Sequence, residues 1–407
     1  MAATKKVAPK VTPAKAAPAK AAPAKAAPAK KAAAQSGPAA KAGASDLSAS
    51  VGLTDEDLVA MYRTIALARA VDERMWILNR AGRIPFVISG QGHEGAEVGI
   101  AWPLEKHKDW IAPFYRSIGT CLTFGMSARD ILTAQYAKAI DPSSGGRQMP
   151  GHYGSVANNL VSLSSPVATQ MLHAIGIALA AKIRKTGQVA MSSMGEGSAN
   201  QGDFHEGLNF AGVHKLPFIL VVENNGWAIS VPMSKQMAVP DVAIRAAGYG
   251  MPGIVVDGSN VLECYRVAKE AVDRARRGDG PTLIEAKVIR LTGHSSDDQQ
   301  TKYREAKELA ELQSNDALPR FRAELREAGV LSEELEATIA AEIKAEVEEA
   351  TEYSENAADP DPATAMKWVY AEDWPSETPP TWGFGKGHGL EGHGDLDDRS
   401  AAEGAVG

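Results

Sequence analysis

The sequence predicts an α/β domain, a parallel sheet with helices on both faces. Two observations carry this. Short apolar runs at 189–194, 218–222, 254–256 and 283–288 have the length of buried strands and end near Gly, Asn, Asp or basic residues. Helix-length segments separate them, and strands joined by such crossovers lie parallel, covered on both sides.

In chain order, residues 1–50 come first and are low in complexity. The unit Ala-Ala-Pro-Ala-Lys repeats at 16–20, 21–25 and 26–30, and residues 1–45 carry nine Lys and no acid. A proline every five residues stops helix propagation, and nothing there can build a core. The segment reads as a disordered, extended, basic tail. It is either a solubilising spacer or an arm that docks on an acidic partner or nucleic acid. Order is expected from about Thr54, where Thr54 and Asp57 have capping-box spacing ahead of Leu58, Met61, Tyr62 and Ile65 at helical spacing. Residues 51–371 form the expected folded domain. Within it, 332–350 read as an amphipathic helix with Leu335, Ile339, Ile343 and Val347 on one stripe. Residues 372–407 form a partly flexible C-terminal extension rich in Gly, Pro and Asp. Trp368, Trp374 and Trp382 suggest that the chain around its start docks on the domain.

Composition excludes several classes of function. The 407 residues carry a formal charge of −7, but outside the tail 34 basic residues face 50 acidic ones. A body this acidic does not suit nucleic-acid binding over a large surface. Two cysteines, Cys121 and Cys264, exclude a disulfide framework and a cysteine-rich zinc site. The most apolar stretch, 167–183, is interrupted by Gln170 and His173, so no membrane span is expected. The N-terminus has neither a secretory nor a mitochondrial pattern, which leaves the cytoplasm as the expected location.

The chemistry lies in Gly195-Glu196-Gly197-Ser198, at the end of one predicted strand, and Glu223-Asn224-Asn225-Gly226-Trp227, at the end of the next. A helix with Phe204, Leu208 and Ala211 on one face joins them, which makes one βαβ unit. Its two strands should lie side by side, with Glu196 and Asn225 at the carboxyl edge, where such sheets bind ligands. A carboxylate, a carboxamide and a backbone carbonyl, for instance that of Trp227, supply three hard oxygens. Mg²⁺ favours such partial cages completed by phosphate and water. The glycines let the backbone approach a bulky anion. The pattern therefore reads as a Mg²⁺-bridged diphosphate site.

This pair of motifs, 29 residues apart, resembles the thiamine diphosphate fingerprint, with Glu in place of Asp. The wider text, over about 55–370, resembles the alpha subunit of 2-oxo acid dehydrogenases, the decarboxylating first component of the pyruvate and branched-chain complexes. The resemblance implies the thiamine diphosphate-binding fold and oxidative decarboxylation of a small 2-oxo acid, with the acyl group passing to a lipoyl carrier on an acyltransferase component. It also implies a separate beta subunit that supplies the pyrimidine half of the site, in an α2β2 assembly. No room for a second, pyrimidine-binding domain is expected after 371. Tyr115 and Arg116 match the pair that holds the diphosphate, and Gly195, Glu196, Gly197, Ser198 and Asn225 complete the cofactor set. Glu196, Asn225 and the Trp227 carbonyl would hold Mg²⁺. His294 matches the active-site histidine, in a loop that covers the cofactor. Ser165 and Val167 would lie beside the cofactor rings, and Ser164, Thr169 and Gln170 match a structural potassium site.

The segments 146–154 and 164–170 resemble the branched-chain version most. Glu223 departs from it, because that version carries Arg just before the Asn pair. A second anion beside a diphosphate would repel it, so Glu223 is expected to point away or to pair with a cation. Ser295 matches a position phosphorylated in mitochondrial relatives and is expected here to be an ordinary loop serine. His93, His152, His173, His205 and His214 show no metal-ligand spacing and read as structural, and His388 and His393 as solvated tail. Pyruvate and acetoin remain alternative substrates, and a non-catalytic scaffold working through the tail is the alternative of another class.

Overall fold

The computed structural model describes residues 45–163 and 165–367. The expectations for residues 1–44, Ser164, the 372–407 extension, Trp368, Trp374, Trp382, His388 and His393 lie outside the described residues. Helix α1 (Asp46–Val51) precedes α2 (Asp55–Arg80), α3 (Glu94–Ala101), strand β1 (Trp110–Ala112), α4 (Ile118–Thr123), α5 (Ala128–Gln135) and α6 (Thr169–Arg184). Then come β2 (Ala190–Gly195), α7 (Gly202–Val213), β3 (Phe218–Asn224) and a two-strand turn, β4 (Trp227–Ala228) with β5 (Val231–Pro232). The chain continues through β6 (Gly253–Asp257), α8 (Val261–Arg276), β7 (Thr282–Lys287), α9 (Ala306–Gln313), α10 (Ala317–Glu327) and α11 (Glu333–Asn356).

Five strands form one parallel sheet in the order β1-β2-β3-β7-β6. Both faces are buried, and alternate residues show it. Ile219 and Val221 of β3 join the core built by α2, α3, α4 and α8, while Phe218, Leu220 and Val222 join the core built by α6 and α7. A continuous apolar run is what a strand needs when both of its sides are covered. Among the described residues no helix is long and apolar enough to cross a membrane.

The capping box forms as expected: Thr54 Oγ1 accepts from the Asp57 N–H, and Asp57 accepts from the Thr54 N–H. The helix expected at 332–350 is α11, which packs on α5 and α2 and buries Ile339, Ile343 and Val347, while Leu335 of the expected stripe is exposed in its first turn. The boundary of the basic tail is corrected at its end. Residues 46–50 lie within α1, tied to α2 because the Asp55 carboxylate accepts from Ser45 N–H, Ser45 Oγ and Ser48 Oγ. Strand β1 was not expected, because three residues are too short to show a period.

Candidate active site

Strand register brings the two halves of the motif together. Gly195 of β2 pairs with Glu223 of β3, so Glu196 and Asn225 leave neighbouring strands at the same edge. Glu196 opens a tight turn (Glu196–Asn200) and is buried. Burial pushes its carboxyl up, partly offset by backbone N–H groups and by the Gln236 amide. Gly197 leaves no room for a side chain, since a Cβ there would stand 2.6 Å from the Ala228 Cβ. The double Asn splits its labour. Asn224 Nδ2 donates to Glu285 Oε1 at 2.6 Å, which anchors the strand. Asn225 turns to the site: its Oδ1 accepts from the Trp227 N–H at 3.1 Å.

A cluster of cations faces this edge. Arg116 is buried and donates to Ser89 O at 2.6 Å and to His294 Nδ1 at 2.9 Å. The Ser89 loop is itself clamped by buried Asp72, which accepts from Ser89 Oγ, the Gly90 N–H and Gln91 Nε2. Arg290 is wholly buried and donates to Ile229 O and Tyr303 Oη. Among the described residues neither guanidinium sits in an ion pair, and Arg290 Nε has no partner. Burial and then Arg116 disfavour the charge on Arg290, and His294 has its pKa lowered to about 4, first by burial and then by Arg116 and Arg290. A neutral ring that accepts at Nδ1 carries its proton on Nε2. The loop holding His294 is closed by Asp298, which accepts from the His294 N–H and from Tyr303 Oη. Tyr115 packs edge-on to His294.

The donor set fits a metal-bound diphosphate on three counts. Among the described residues two buried guanidiniums sit in no ion pair, one of them with an orphaned donor. The buried Glu196 carboxylate sits in no ion pair among the described residues. An open space at Gly195, where a Cβ would meet nothing within 4 Å, lies at the end of β2. Buried charge without a partner is costly enough that its persistence points to a missing ligand.

The remaining expected residues fall nearby or apart. Ser165 Oγ lies 2.8 Å from His152 Nε2, and Val167 is partly exposed. Thr169 Oγ1 donates to Asp203, and Gln170 donates to Ser193 O, leaving its own Oε1 buried without a partner. Ser295 is buried, and its Oγ accepts from the Asp297 N–H.

Two expectations change. Glu223 does not pair with a cation. Its Oε2 lies 2.8 Å from Nδ1 of His93, and burial together with the two guanidiniums holds that ring well below its ordinary pKa, hence neutral. Burial also pushes Glu223 up to about 8, and Glu97, whose carboxylate lies within 4.8 Å of the pair, well above the ordinary range. The acid is thus accommodated beside an anion site by being kept neutral. Second, His93 and His152, read as structural, touch expected site residues, His93 Nε2 lying 3.2 Å from Asn225 Nδ2 and His152 Nε2 2.8 Å from Ser165 Oγ, whereas His173, His205 and His214 are exposed. His93 and Glu97 carried no local signal in the sequence, and for Arg290 the one hint was a cation set among Val288, Ile289 and Leu291.

These features define a candidate anion and metal site at the carboxyl edge of a parallel sheet. Residues 62–363 match the family model described as the dehydrogenase E1 component, and the chain belongs to that family. It is 54% identical over 323 residues to the 2-oxoisovalerate dehydrogenase subunit alpha of Bacillus subtilis, covering 79% of this chain and 98% of the relative. It is 38% identical to the 3-methyl-2-oxobutanoate dehydrogenase subunit alpha of Mycobacterium tuberculosis (79% and 85% covered) and 35% identical to the pyruvate dehydrogenase E1 component subunit alpha of Staphylococcus aureus (79% and 84%).

Proposed function

We propose that the chain is the alpha subunit of a branched-chain 2-oxo acid dehydrogenase, which decarboxylates 3-methyl-2-oxobutanoate-type acids oxidatively and passes the acyl group to a lipoyl carrier. The observation that carries this is that Glu196 and Asn225 leave neighbouring strand ends beside two buried guanidiniums that sit in no ion pair among the described residues, in a chain 54% identical to a relative named for that substrate. Thiamine diphosphate, when bound, would supply an electron sink for the pair left on the keto carbon when the carboxyl group departs as carbon dioxide. Glu196, Asn225 Oδ1 and the Trp227 carbonyl would hold Mg²⁺, with Tyr115, Arg116, Arg290 and the backbone at Gly195, Gly197 and Ser198 around the diphosphate. His294 offers an N–H donor at Nε2 at neutral pH and does not add positive charge. Ser165 and Val167 line the ring end, and Thr169 and Gln170, with Ser164, are candidates for K⁺; the buried, unpartnered Gln170 Oε1 supports that reading.

The partner is a beta subunit, in an α2β2 heterotetramer that delivers its acyl group to the lipoyl acyltransferase component. A cytoplasmic setting fits two buried, unpaired cysteines. The test is dye reduction by the chain copurified with its beta partner, with 3-methyl-2-oxobutanoate, pyruvate and acetoin compared. Turnover is expected only with both chains, thiamine diphosphate and Mg²⁺, and fastest on the branched acid. Preference for pyruvate or acetoin would reassign the substrate. An assembled pair that neither binds the cofactor nor turns over would sink the reading.

A further inference from the structure

The amide of Asn225 is oriented by a chain of hydrogen bonds whose polarity is fixed from one end. The Trp227 backbone N–H can only donate, so the Asn225 atom it meets is Oδ1. Asn225 Nδ2 therefore faces His93 Nε2, 3.2 Å away, and that nitrogen must accept. His93 then carries its proton on Nδ1 and donates to Glu223 Oε2 at 2.8 Å. His93 sits at the start of α3, a helix buried along its whole length, and its ring is shut off from water. Glu97, four residues on, lies within 4.8 Å of the pair, takes the Gly119 N–H at 2.6 Å and leaves one oxygen buried without a partner. The carboxamide can therefore present only its oxygen to a cation.

We propose that His93 is a positioning residue: it holds Asn225 with Oδ1 toward the metal, and Glu223 in turn holds His93 in the tautomer this needs. The inference rests on the reading of Asn225 as a Mg²⁺ ligand. Partners behind metal ligands typically change metal affinity ten- to hundredfold when removed.

The experiment uses the assembled alpha–beta enzyme and follows thiamine diphosphate binding by calorimetry as Mg²⁺ is varied, without substrate. In His93→Leu the Mg²⁺ needed for half-maximal binding should rise about ten- to hundredfold, with cofactor affinity recovered at saturating Mg²⁺. In His93→Gln, whose amide can accept from Asn225 and donate to Glu223, it should stay within about threefold of wild type. Glu223→Gln, which still accepts from Nδ1–H, should behave like His93→Gln. If His93→Leu does not assemble, His93→Asn, polar but too short to reach both partners, takes its place with the same expectation. An unchanged Mg²⁺ requirement in the Leu or Asn variant overturns the proposal. So does an equal loss in His93→Gln, which would make the role one of packing. So does a second tightly held metal equivalent in wild type that is lost on substitution, which would make His93, Glu97 and Glu223 ligands themselves. Wild-type enzyme that binds the cofactor without Mg²⁺, or not at all, defeats the underlying reading of the site instead.

Discussion

The site has a basic wall and an acidic floor, and the two handle uncompensated charge in opposite ways. On the wall, Arg116 and Arg290 remain cationic because a guanidinium cannot shed its proton in a protein. They pass the cost to neighbours, and the rings of His93 and His294 are both held neutral beside them. On the floor, Glu97, Glu223 and Glu196 are pushed toward the protonated form by burial. The lesson is that an enzyme can store positive charge for a diphosphate in dry surroundings, but negative charge there persists only where a cation arrives to hold it.

The largest expected effect removes the anion that the metal requires. Glu196→Ala should abolish Mg²⁺-dependent thiamine diphosphate binding by the assembled enzyme, a loss beyond about hundredfold. A calorimetric titration equal to wild type would take Glu196 out of the metal site and break the contrast. Next, Arg290→Met should weaken the cofactor by about ten- to hundredfold, as expected for losing charged hydrogen bonds. The cofactor-free protein should melt no lower than wild type, because an unpaired buried cation is removed. A lower melting temperature with unchanged affinity would make Arg290 structural. Gly197→Ala should cost about 1–3 kcal/mol of stability by overpacking against Ala228, read by denaturant unfolding. A neutral result would mean that the β4 turn shifts freely.

The remaining effects are in pH, and the wall and the clamp beneath it should slope in opposite directions. Asp72 is fully buried with its pKa raised to about 6. Folding therefore favours its protonated form, so its contribution is best at acid pH and worsens by about 2–3 kcal/mol as pH rises through 4 to 6. His294, with a pKa of about 4, contributes stability above its unfolded value near 6.5 that is lost as pH falls through 6.5 to 4. Asp72→Asn should remove the first slope and His294→Gln the second, measured as melting temperature against pH. Two parallel slopes, or none, would show that one of the two environments is misjudged.

Much of this molecule was legible in its sequence. Four of the five sheet strands carry short apolar runs, unbroken at 218–222 and 254–256 and interrupted by Ser192 and Ser193 in β2 and by Glu285 and Lys287 in β7, and α2 announces its start with Thr54 and Asp57. The helix α1 was missed because its Ser45 cap and Gly52 end adjoin a proline-rich repeat that dominates the local composition. Its anchor, Asp55, acts from the next element. The pairing of Glu196 with Asn225 was readable because both lie in one βαβ unit, where strand adjacency follows from the crossover alone. The contacts of His93 with Glu223, of Arg116 with His294 and of Arg290 with Ile229 join residues 130, 178 and 61 positions apart, each a lone side chain with no spacing to mark it.

By itself, then, the sequence determined the sheet, its helical cover and the strand-end oxygens, because periodicity and a single crossover are local properties. The tertiary structure alone decided which charges are buried without partners, which histidine nitrogen carries a proton and why Glu223 is tolerated beside an anion site. Desolvation and hydrogen-bond polarity depend on what the rest of the chain packs around each group.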